Sequence, residues 1–217
     1  MVEVAVTPRR TTADLDSLAE RARRLLTPGE RRLIGIVGCP GSGKSTLSAQ
    51  LRDRLHGQAV IVPMDGFHLD NPVLEDLGRR GRKGAVDTFD VAGFVSLLAR
   101  LAAADEEVTY APRFDRGLET AVGSAVPVPR ATPLVIVEGL YLLETEHGWH
   151  RVRAHLDEVW FLDVPAEERV RRLVARRMSG GESEERATAW VLGVDRANAE
   201  RVEATREHAD LIVDLTS

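Results

Sequence analysis

Lysine, cysteine and long hydrophobic runs are scarce in this chain, and each scarcity narrows what the protein can be. Of the 29 basic residues only Lys44 and Lys83 are lysines, so positions that need a compact ammonium stand out. Cys39 is the single cysteine, which excludes a disulfide within the chain and favours a reducing, cytoplasmic location. No apolar run reaches the roughly 18 residues of a membrane helix, so no membrane association is expected.

An excess of positive charge is lacking as well. The net charge of −5 argues against a general nucleic-acid binder, whose affinity depends on a basic surface. The first residues, MVEVAVTPRRTTADLD, have no basic region followed by an apolar core, so they do not read as a secretory signal. With 217 residues, of which 43% are hydrophobic, the composition is typical of one globular domain over residues 1–217.

Strand patterns alternate with helix patterns along the chain. Amphipathic spacing predicts a helix over 11–26, and the apolar run RRLIGIVG predicts a buried strand after it. Further strands are predicted at 58–62, 133–139, 157–164 and 209–214, and helices at 44–56, 90–103, about 166–178 and 182–208. This alternation predicts an α/β fold with a doubly wound parallel sheet in three α/β/α layers. The proline-containing segment at about 107–130 predicts a short strand excursion outside the sheet.

The stretch GCPGSGKS, residues 38–45, matches the phosphate-binding pattern G-x-x-x-x-G-K-[ST]. A buried strand precedes it and a helix pattern follows, as this P-loop requires. Its glycines let backbone N–H groups converge on phosphate oxygens at a helix N-terminus. Lys44 is expected at the β- and γ-phosphates and the Ser45 hydroxyl on Mg²⁺. The predicted nucleotide-binding residues are Gly38, Gly41, Ser42, Gly43, Lys44, Ser45 and Thr46.

The identity of the nucleotide and of the reaction follows from the remaining acids and lysines. A switch GTPase would carry an Asn/Thr-Lys-x-Asp motif, which neither lysine here can supply, so ATP and Mg²⁺ are the expected cofactors. Glu138 is the single acid at the end of the strand LVIVEG, which suits Mg²⁺ placement better than a hydrolytic pair. Asp65, in VPMDGFHLD, follows another strand. Since ligands bind beyond the carboxyl ends of such strands, Asp65 can accept a proton from a hydroxyl that attacks the γ-phosphate.

The order of P-loop, DGFH, RKGAVDTFD, YAPRFDR, VIVEGLYLL and an arginine-rich late helix resembles the phosphoribulokinase, uridine kinase and pantothenate kinase group of P-loop kinases. The chain is most similar there to a bacterial branch of nucleoside/nucleotide kinase family or fructose-transport-associated kinases, through WVLGVDRANA. The resemblance implies that Asp65 is the catalytic acid/base, that Glu138 helps to place Mg²⁺, and that Asp87 faces acceptor hydroxyls. The His-Ser-Arg stretch of uridine kinases has no counterpart in RFDRGLE, so the acceptor is left open.

Two basic clusters complete the predicted site. Arg172 and Arg176 share one helix face, and the resemblance favours a lid at about 166–182 that folds onto the ATP phosphates. The run at 79–83 is either a solvated basic loop or a site for an anionic acceptor group. The predicted acceptor-binding residues are His68, Lys83, Asp87, Arg113 and Arg116. The three tryptophans, including Trp190, are assigned to the core.

These observations predict an ATP-dependent kinase that phosphorylates a hydroxyl of a small metabolite, whether a nucleoside, a sugar or a pantothenate-like polyol. Two alternatives stay open at this stage. One is a nucleoside monophosphate kinase, which needs no base because its acceptor is already a phosphate. The other is a regulatory P-loop ATPase that acts on a protein partner.

Overall fold

Six parallel strands form the central sheet of the computed structural model, which describes residues 8–12 and 14–215. The strands in chain order are β1 (Arg9–Thr12), β2 (Arg32–Gly38), β3 (Ala59–Pro63), β4 (Val108–Asp115), β5 (Thr120–Pro129), β6 (Leu134–Gly139), β7 (Glu158–Asp163) and β8 (Leu211–Asp214). The sheet runs in the order β1-β8-β7-β2-β6-β3. β4 and β5 pair antiparallel in a separate ribbon, which confirms the predicted excursion.

Helices cover both faces of the sheet. They are α1 (Leu15–Leu25), α2 (Lys44–Arg54), α3 (Asn71–Asp76), α4 (Val91–Ala103), α5 (Ala166–Ser179), α6 (Glu184–Trp190) and α7 (Arg196–Glu203). Side chains of α1 and α2 pack in one apolar cluster with the sheet, and those of α4 and α7 in the other. The three-layer α/β/α architecture is therefore as predicted. In the described part of the chain, every helix falls short of the length or the hydropathy needed for a membrane span.

The strand sequences are continuous apolar runs because both faces of the sheet are buried. Along β6, Leu134 and Ile136 belong to the cluster under α1 and α2, whereas Val135 and Val137 belong to the cluster under α4. All four side chains have no accessible surface. A strand covered on one side only would show alternating polar residues, so the sequence pattern and the double burial agree.

The chain begins differently from the prediction of a helix over 11–26. Residues Arg9–Thr12 form an edge strand that pairs parallel with β8, and α1 starts only at Leu15. Asp14 caps the helix, since its carboxylate accepts from the backbone N–H groups of Asp16 and Ser17. The helical spacing of apolar residues was correct, but the strand depends on a partner some 200 residues away in sequence. For the first 16 residues, positions 1–7 and 13 lie outside the described residues.

The long helical stretch predicted over 182–208 is interrupted. A π-helical turn, Val191–Asp195, separates α6 from α7, and a 3-10 turn follows at Arg206–His208. The helical rise continues through the π turn, but the side chains after it are rotated relative to those before it. Such turns occur mostly at functional sites.

Candidate active site

The loop between β2 and α2 has the conformation that its glycines allow. Gly41 and Gly43 have φ angles of +78° and +89°, a region that other residues rarely adopt. A Cβ on Gly41 would also lie 2.7 Å from the carbonyl oxygen of Arg169 on α5. Gly38 ends β2, and the Ser42 side chain is buried beneath the loop. Thr46 lies in the first turn of α2 and lines the same cavity as Ser45.

The Lys44 ammonium is held inside this loop. Its Nζ donates hydrogen bonds to the carbonyl oxygens of Gly38, at 2.8 Å, and Cys39, at 3.2 Å. Burial lowers the pKa of Lys44 to about 8, against the opposing effect of the nearby Asp65 and Glu138 carboxylates. A phosphate in the loop would replace the carbonyls with full negative charges, which a buried ammonium binds more strongly.

Glu138 and Ser45 form the part of the site that fits Mg²⁺. Glu138 comes near the end of β6, and its Oε1 accepts a hydrogen bond of 3.0 Å from the Ser45 hydroxyl. Its Oε2 is buried and has no hydrogen-bond partner among the described residues, and burial raises the pKa of Glu138. A hydroxyl and an unsatisfied carboxylate oxygen are ligands that Mg²⁺ accepts. Residues 8–12 and 14–215 hold no cluster of three or more His, Cys, Asp or Glu side chains suited to a metal, so phosphates and water would supply the other ligands.

Asp65 lies in a 3-10 turn, Met64–Phe67, directly after β3. The next residue, Gly66, is needed there because a Cβ would lie 2.5 Å from the carbonyl oxygen of Pro112 in the ribbon. The turn and the ribbon therefore pack backbone against backbone. The Asp65 carboxylate is about one-third exposed and accepts a hydrogen bond of 3.3 Å from Arg116.

The His68 ring contacts the backbone carbonyl of Asp65 rather than its carboxylate. Its Nδ1 lies 2.8 Å from the carbonyl oxygen of Asp65, which can only accept, so Nδ1 carries the proton and Nε2 is left as an acceptor. The ring packs between Phe89 and Phe114, with centroid distances of 4.1 and 4.8 Å. Burial lowers the pKa of His68, which favours a neutral imidazole.

One cavity of about 690 Å³ joins these groups at the carboxyl ends of the strands. Its lining includes most of the predicted site, namely Gly41, Gly43, Lys44, Ser45, Thr46, Asp65, His68, Lys83, Arg116, Glu138, Arg172 and Arg176. The volume lies in the range of small-molecule and cofactor sites. The meeting of six segments from different parts of the chain around one space is what a doubly wound sheet predicts for its ligand.

The basic residues of the cavity differ in how they are paired. Arg172 donates a hydrogen bond of 2.7 Å to Glu168 one turn earlier on α5. Arg176 makes no ion pair or side-chain hydrogen bond with any described residue, and burial lowers its pKa. The Lys83 side chain is 6% exposed, donates hydrogen bonds to Asn71 and to the Glu119 carbonyl, and lies over the Phe114 ring.

Asp87 and Arg113 are not brought to the cavity. Arg79 and Arg82 clamp the Asp87 carboxylate, with one Arg82 contact at 2.7 Å, and the Arg82 hydrogen bond lowers the pKa of Asp87. Arg113 pairs with Asp115 at 3.7 Å and is more than half exposed. Their predicted contact with the acceptor finds no support in this geometry, because both side chains already face partners outside the lining.

The end of α5 and the helical segments after it contribute lining residues that the sequence did not predict for the site, namely Arg177, Arg186, Trp190, Asp195 and Asn198. Trp190 was assigned to the core, whereas it lines the cavity half-buried with the Arg177 guanidinium 4.7 Å from its ring centroid. Asp195 ends the π turn; its Oδ2 is buried with no hydrogen-bond partner among the described residues, and burial raises its pKa. Asn198 donates to the carbonyl oxygen of Gly84, at 3.2 Å. The sequence signal for these residues was a glycine, Gly193, inside an otherwise helical pattern.

Comparison with known proteins agrees with this geometry. The AAA domain family matches residues 34–193. The chain is 35% identical over 201 residues to the uncharacterized protein YggC of Escherichia coli, covering 90% of this chain and 82% of that one. It is 30% identical over 189 residues to a uridine kinase of Limosilactobacillus reuteri, covering 83% and 82%.

A solved structure extends the comparison to the fold. It is that of a protein from Silicibacter sp. TM1040 proposed to be a fructose transport system kinase, which is 41% identical with a TM-score of 0.85. The alignment covers 91% of this chain and 98% of that one. With the family match over most of its length and the phosphate loop in place, this chain belongs to the AAA domain family and to the P-loop kinase group.

Proposed function

We propose that this protein transfers the γ-phosphoryl group of ATP to a hydroxyl of a small metabolite, such as a nucleoside, a sugar or a pantothenate-like polyol. The observation that carries the proposal is the Asp65 carboxylate in the same cavity as the Lys44 ammonium. A kinase needs a base beside the phosphate loop to take the proton of an organic hydroxyl, whereas a hydrolase has no organic hydroxyl to deprotonate. The uridine kinase and the fructose transport system kinase named among the similar proteins support this reaction class.

The residues divide the reaction between them. The loop N–H groups and Lys44 hold the β- and γ-phosphates, and Arg172 and Arg176 approach the transferred group from α5. Ser45 and Glu138 would hold Mg²⁺, which would neutralise part of the phosphate charge. Asp65 accepts the proton of the attacking hydroxyl, and Arg116 orients its carboxylate through the 3.3 Å contact. His68 and Lys83 line the acceptor side, where the imidazole Nε2 can accept a hydrogen bond from a hydroxyl.

The experiment that tests the proposal is paired. ADP release is measured with nucleosides, sugars, their monophosphates and pantothenate as acceptors, and phosphorus NMR then identifies the product as an ester or an anhydride. An ester supports transfer to a hydroxyl, whereas an anhydride would indicate a nucleoside monophosphate kinase. ADP release that needs a protein and no small acceptor would indicate the regulatory ATPase.

The Asp65→Asn variant tests the base itself. The amide keeps the size of the side chain but cannot take a proton, so the single-turnover rate should fall by roughly 10²–10⁴-fold. The loss should lie toward the lower end if the transition state is loose, because the hydroxyl then deprotonates late. Asp76→Asn, an exposed position at the end of α3, is the matched control and should keep the full rate. A stable Asp65→Asn protein with the normal rate would end the assignment.

A further inference from the structure

Two arginines of the cavity lining have no place in the proposed ATP transfer. Arg80 is in the 3-10 turn Arg80–Arg82 after α3, and Arg186 is on α6. Both line the cavity, and neither guanidinium makes an ion pair or a hydrogen bond with any residue that the structure describes. The neighbours of Arg80 differ, because Arg79 and Arg82 are both bound to Asp87 outside the lining.

The other cations of the lining already have partners or a place in the transfer. Arg116 pairs with Asp65, Arg177 with Glu182 at 2.7 Å, and Lys83 with Glu119 at 3.5 Å. Lys44, Arg172 and Arg176 serve the ATP phosphates in the proposed reaction. Arg80 and Arg186 are the lining cations left without an ion pair among the described residues and without a place in the transfer.

The two arginines belong to segments that meet across the cavity. Asn198 on α7 donates to the Gly84 carbonyl, which also accepts a hydrogen bond of 2.8 Å from Tyr141, so the C-terminal helices are tied to the loop that carries Arg80. Arg186 lies one helical turn before Trp190, so both side chains share the face of α6 that lines the cavity. The same wall includes Asp195, whose buried Oδ2 can accept a hydrogen bond from a hydroxyl.

We infer that the acceptor carries an anionic group, a carboxylate or a phosphate, in addition to the hydroxyl that is phosphorylated, and that Arg80 and Arg186 bind this group. The inference rests on the proposed kinase function and narrows its substrate class. Guanidinium groups match carboxylates and phosphates through paired hydrogen bonds. A neutral acceptor that closed the cavity would remove water from both arginines and return no charge, which is costly for an ionised group.

The test compares acceptors in matched pairs that differ in charge. The carboxylate arm uses glycerate against glycerol and pantothenate against panthenol, and the phosphate arm uses ribose 5-phosphate against ribose and fructose 6-phosphate against fructose. We expect kcat/KM to favour the charged member of at least one pair by about tenfold or more, and the arm in which this occurs identifies the anionic group. Phosphorus NMR of the product checks that the new bond is an ester.

Variants then assign the preference to residues. Arg80→Gln and Arg186→Gln should each raise KM for the charged acceptor, by about tenfold for the half-buried Arg80 and by less for the exposed Arg186, with kcat changed far less. The KM of the neutral partner should not move. Arg82→Gln removes an arginine from the same turn, but one that faces Asp87, and it should leave the preference intact.

The possible outcomes distinguish a failure of the anionic-acceptor inference from a failure of the proposed kinase function. The inference of an anionic acceptor is wrong if neutral acceptors are phosphorylated as efficiently as charged ones. It is also wrong if the preference for charged acceptors persists in both glutamine variants. Neither result would contradict the kinase function. If no acceptor of either arm stimulates ADP release, while Mg·ATP still binds, the proposed kinase function itself is overturned.

Discussion

At the scale of single residues, the site depends on a few side chains whose ionisation is set by burial. Lys44 is the clearest case, since its ammonium is enclosed by the loop that it serves and burial lowers its pKa to about 8. At neutral pH it is still mostly charged, and a phosphate that replaces the Gly38 and Cys39 carbonyls would stabilise that charge further. Binding of ATP and the charge of Lys44 are therefore coupled.

The Lys44→Ala variant should bind Mg·ATP about tenfold or more weakly and lose turnover, because a charge-assisted contact to the phosphates is removed. Lys44→Arg should be defective as well, since a planar guanidinium does not fit where a compact ammonium is held between two carbonyls. Calorimetry of nucleotide binding and a single-turnover assay measure the two effects. Normal affinity together with normal turnover in the alanine variant would contradict the phosphate-loop assignment.

For Asp87, unlike Lys44, we predict a structural function and no part in the reaction. The hydrogen bond from Arg82 lowers its pKa, so its stabilising effect is present above the ordinary Asp pKa and is lost as pH falls through the lowered one. Asp87→Asn should reduce the free energy of unfolding at pH 7 by up to about 1 kcal/mol, as expected for a largely solvated ion pair. Thermal unfolding at pH 7 and pH 3 measures the loss, which should shrink at the lower pH. An increase in acceptor KM without loss of stability would instead support the contact predicted from the resemblance.

At the scale of elements, α5 has an inner and an outer face whose arginines differ in their surroundings. Arg172 and Arg176 line the cavity, whereas Arg171 is about three-quarters exposed and pairs with Glu168 on the outer side. The inner arginines are thus placed to approach the transferred group, and the outer one is placed in solvent.

Arg172→Ala and Arg176→Ala should each lower turnover by roughly 10²–10³-fold, the range for a removed group that stabilises transition-state charge. Thermal stability should hardly change for either variant, because the Arg172 ion pair is partly exposed and Arg176 is exposed. Arg171→Ala is the matched control on the same helix and should retain the full rate. If the three variants were equally active, α5 would have only a structural function.

At the scale of the whole molecule, Arg31 joins three parts of the fold. It precedes β2 at the end of the sheet opposite the phosphate loop and is 9% exposed. Its guanidinium donates to the carbonyl oxygens of Leu101, Pro129, Arg130 and Thr132 at 2.7 to 3.2 Å. One side chain thereby fastens the end of α4 and the end of the ribbon to the central sheet.

Arg31→Lys should lower the free energy of unfolding by about 2–3 kcal/mol, because an ammonium cannot reach four acceptors arranged for a fork. For a chain of this size that corresponds to a decrease in Tm of about 4–12 °C. Turnover per folded molecule should stay the same, since the site lies at the other end of β2. Arg52→Lys, on the exposed side of α2, is the control and should stay within about 0.5 kcal/mol. Equal stability of the two variants would show that the carbonyls find other partners.

Part of the site could be predicted because its signals are local. The phosphate loop follows from glycines whose positive φ angles are required within a few residues, and Asp65 and Glu138 follow from their positions at the ends of apolar runs. Asp87 could not be assigned in this way. An acid beside a basic run looks like a ligand in the sequence, and only the folded turn of Arg79 and Arg82 shows that its charge is already bound.

The sequence alone determined the alternation of the central strands and helices and the phosphate loop, because each depends on torsion angles or on a burial pattern within one segment. The tertiary structure decided what depends on segments far apart in the chain. It paired β1 with β8, placed the Pro112 backbone against Gly66, and turned Trp190 and Asp195 into the cavity through a π turn. It also left Arg80 without an ion pair among the described residues, whereas its neighbours Arg79 and Arg82 pair with Asp87. Such contacts join residues with no periodic relation in sequence, so a single sequence holds no local signal for them.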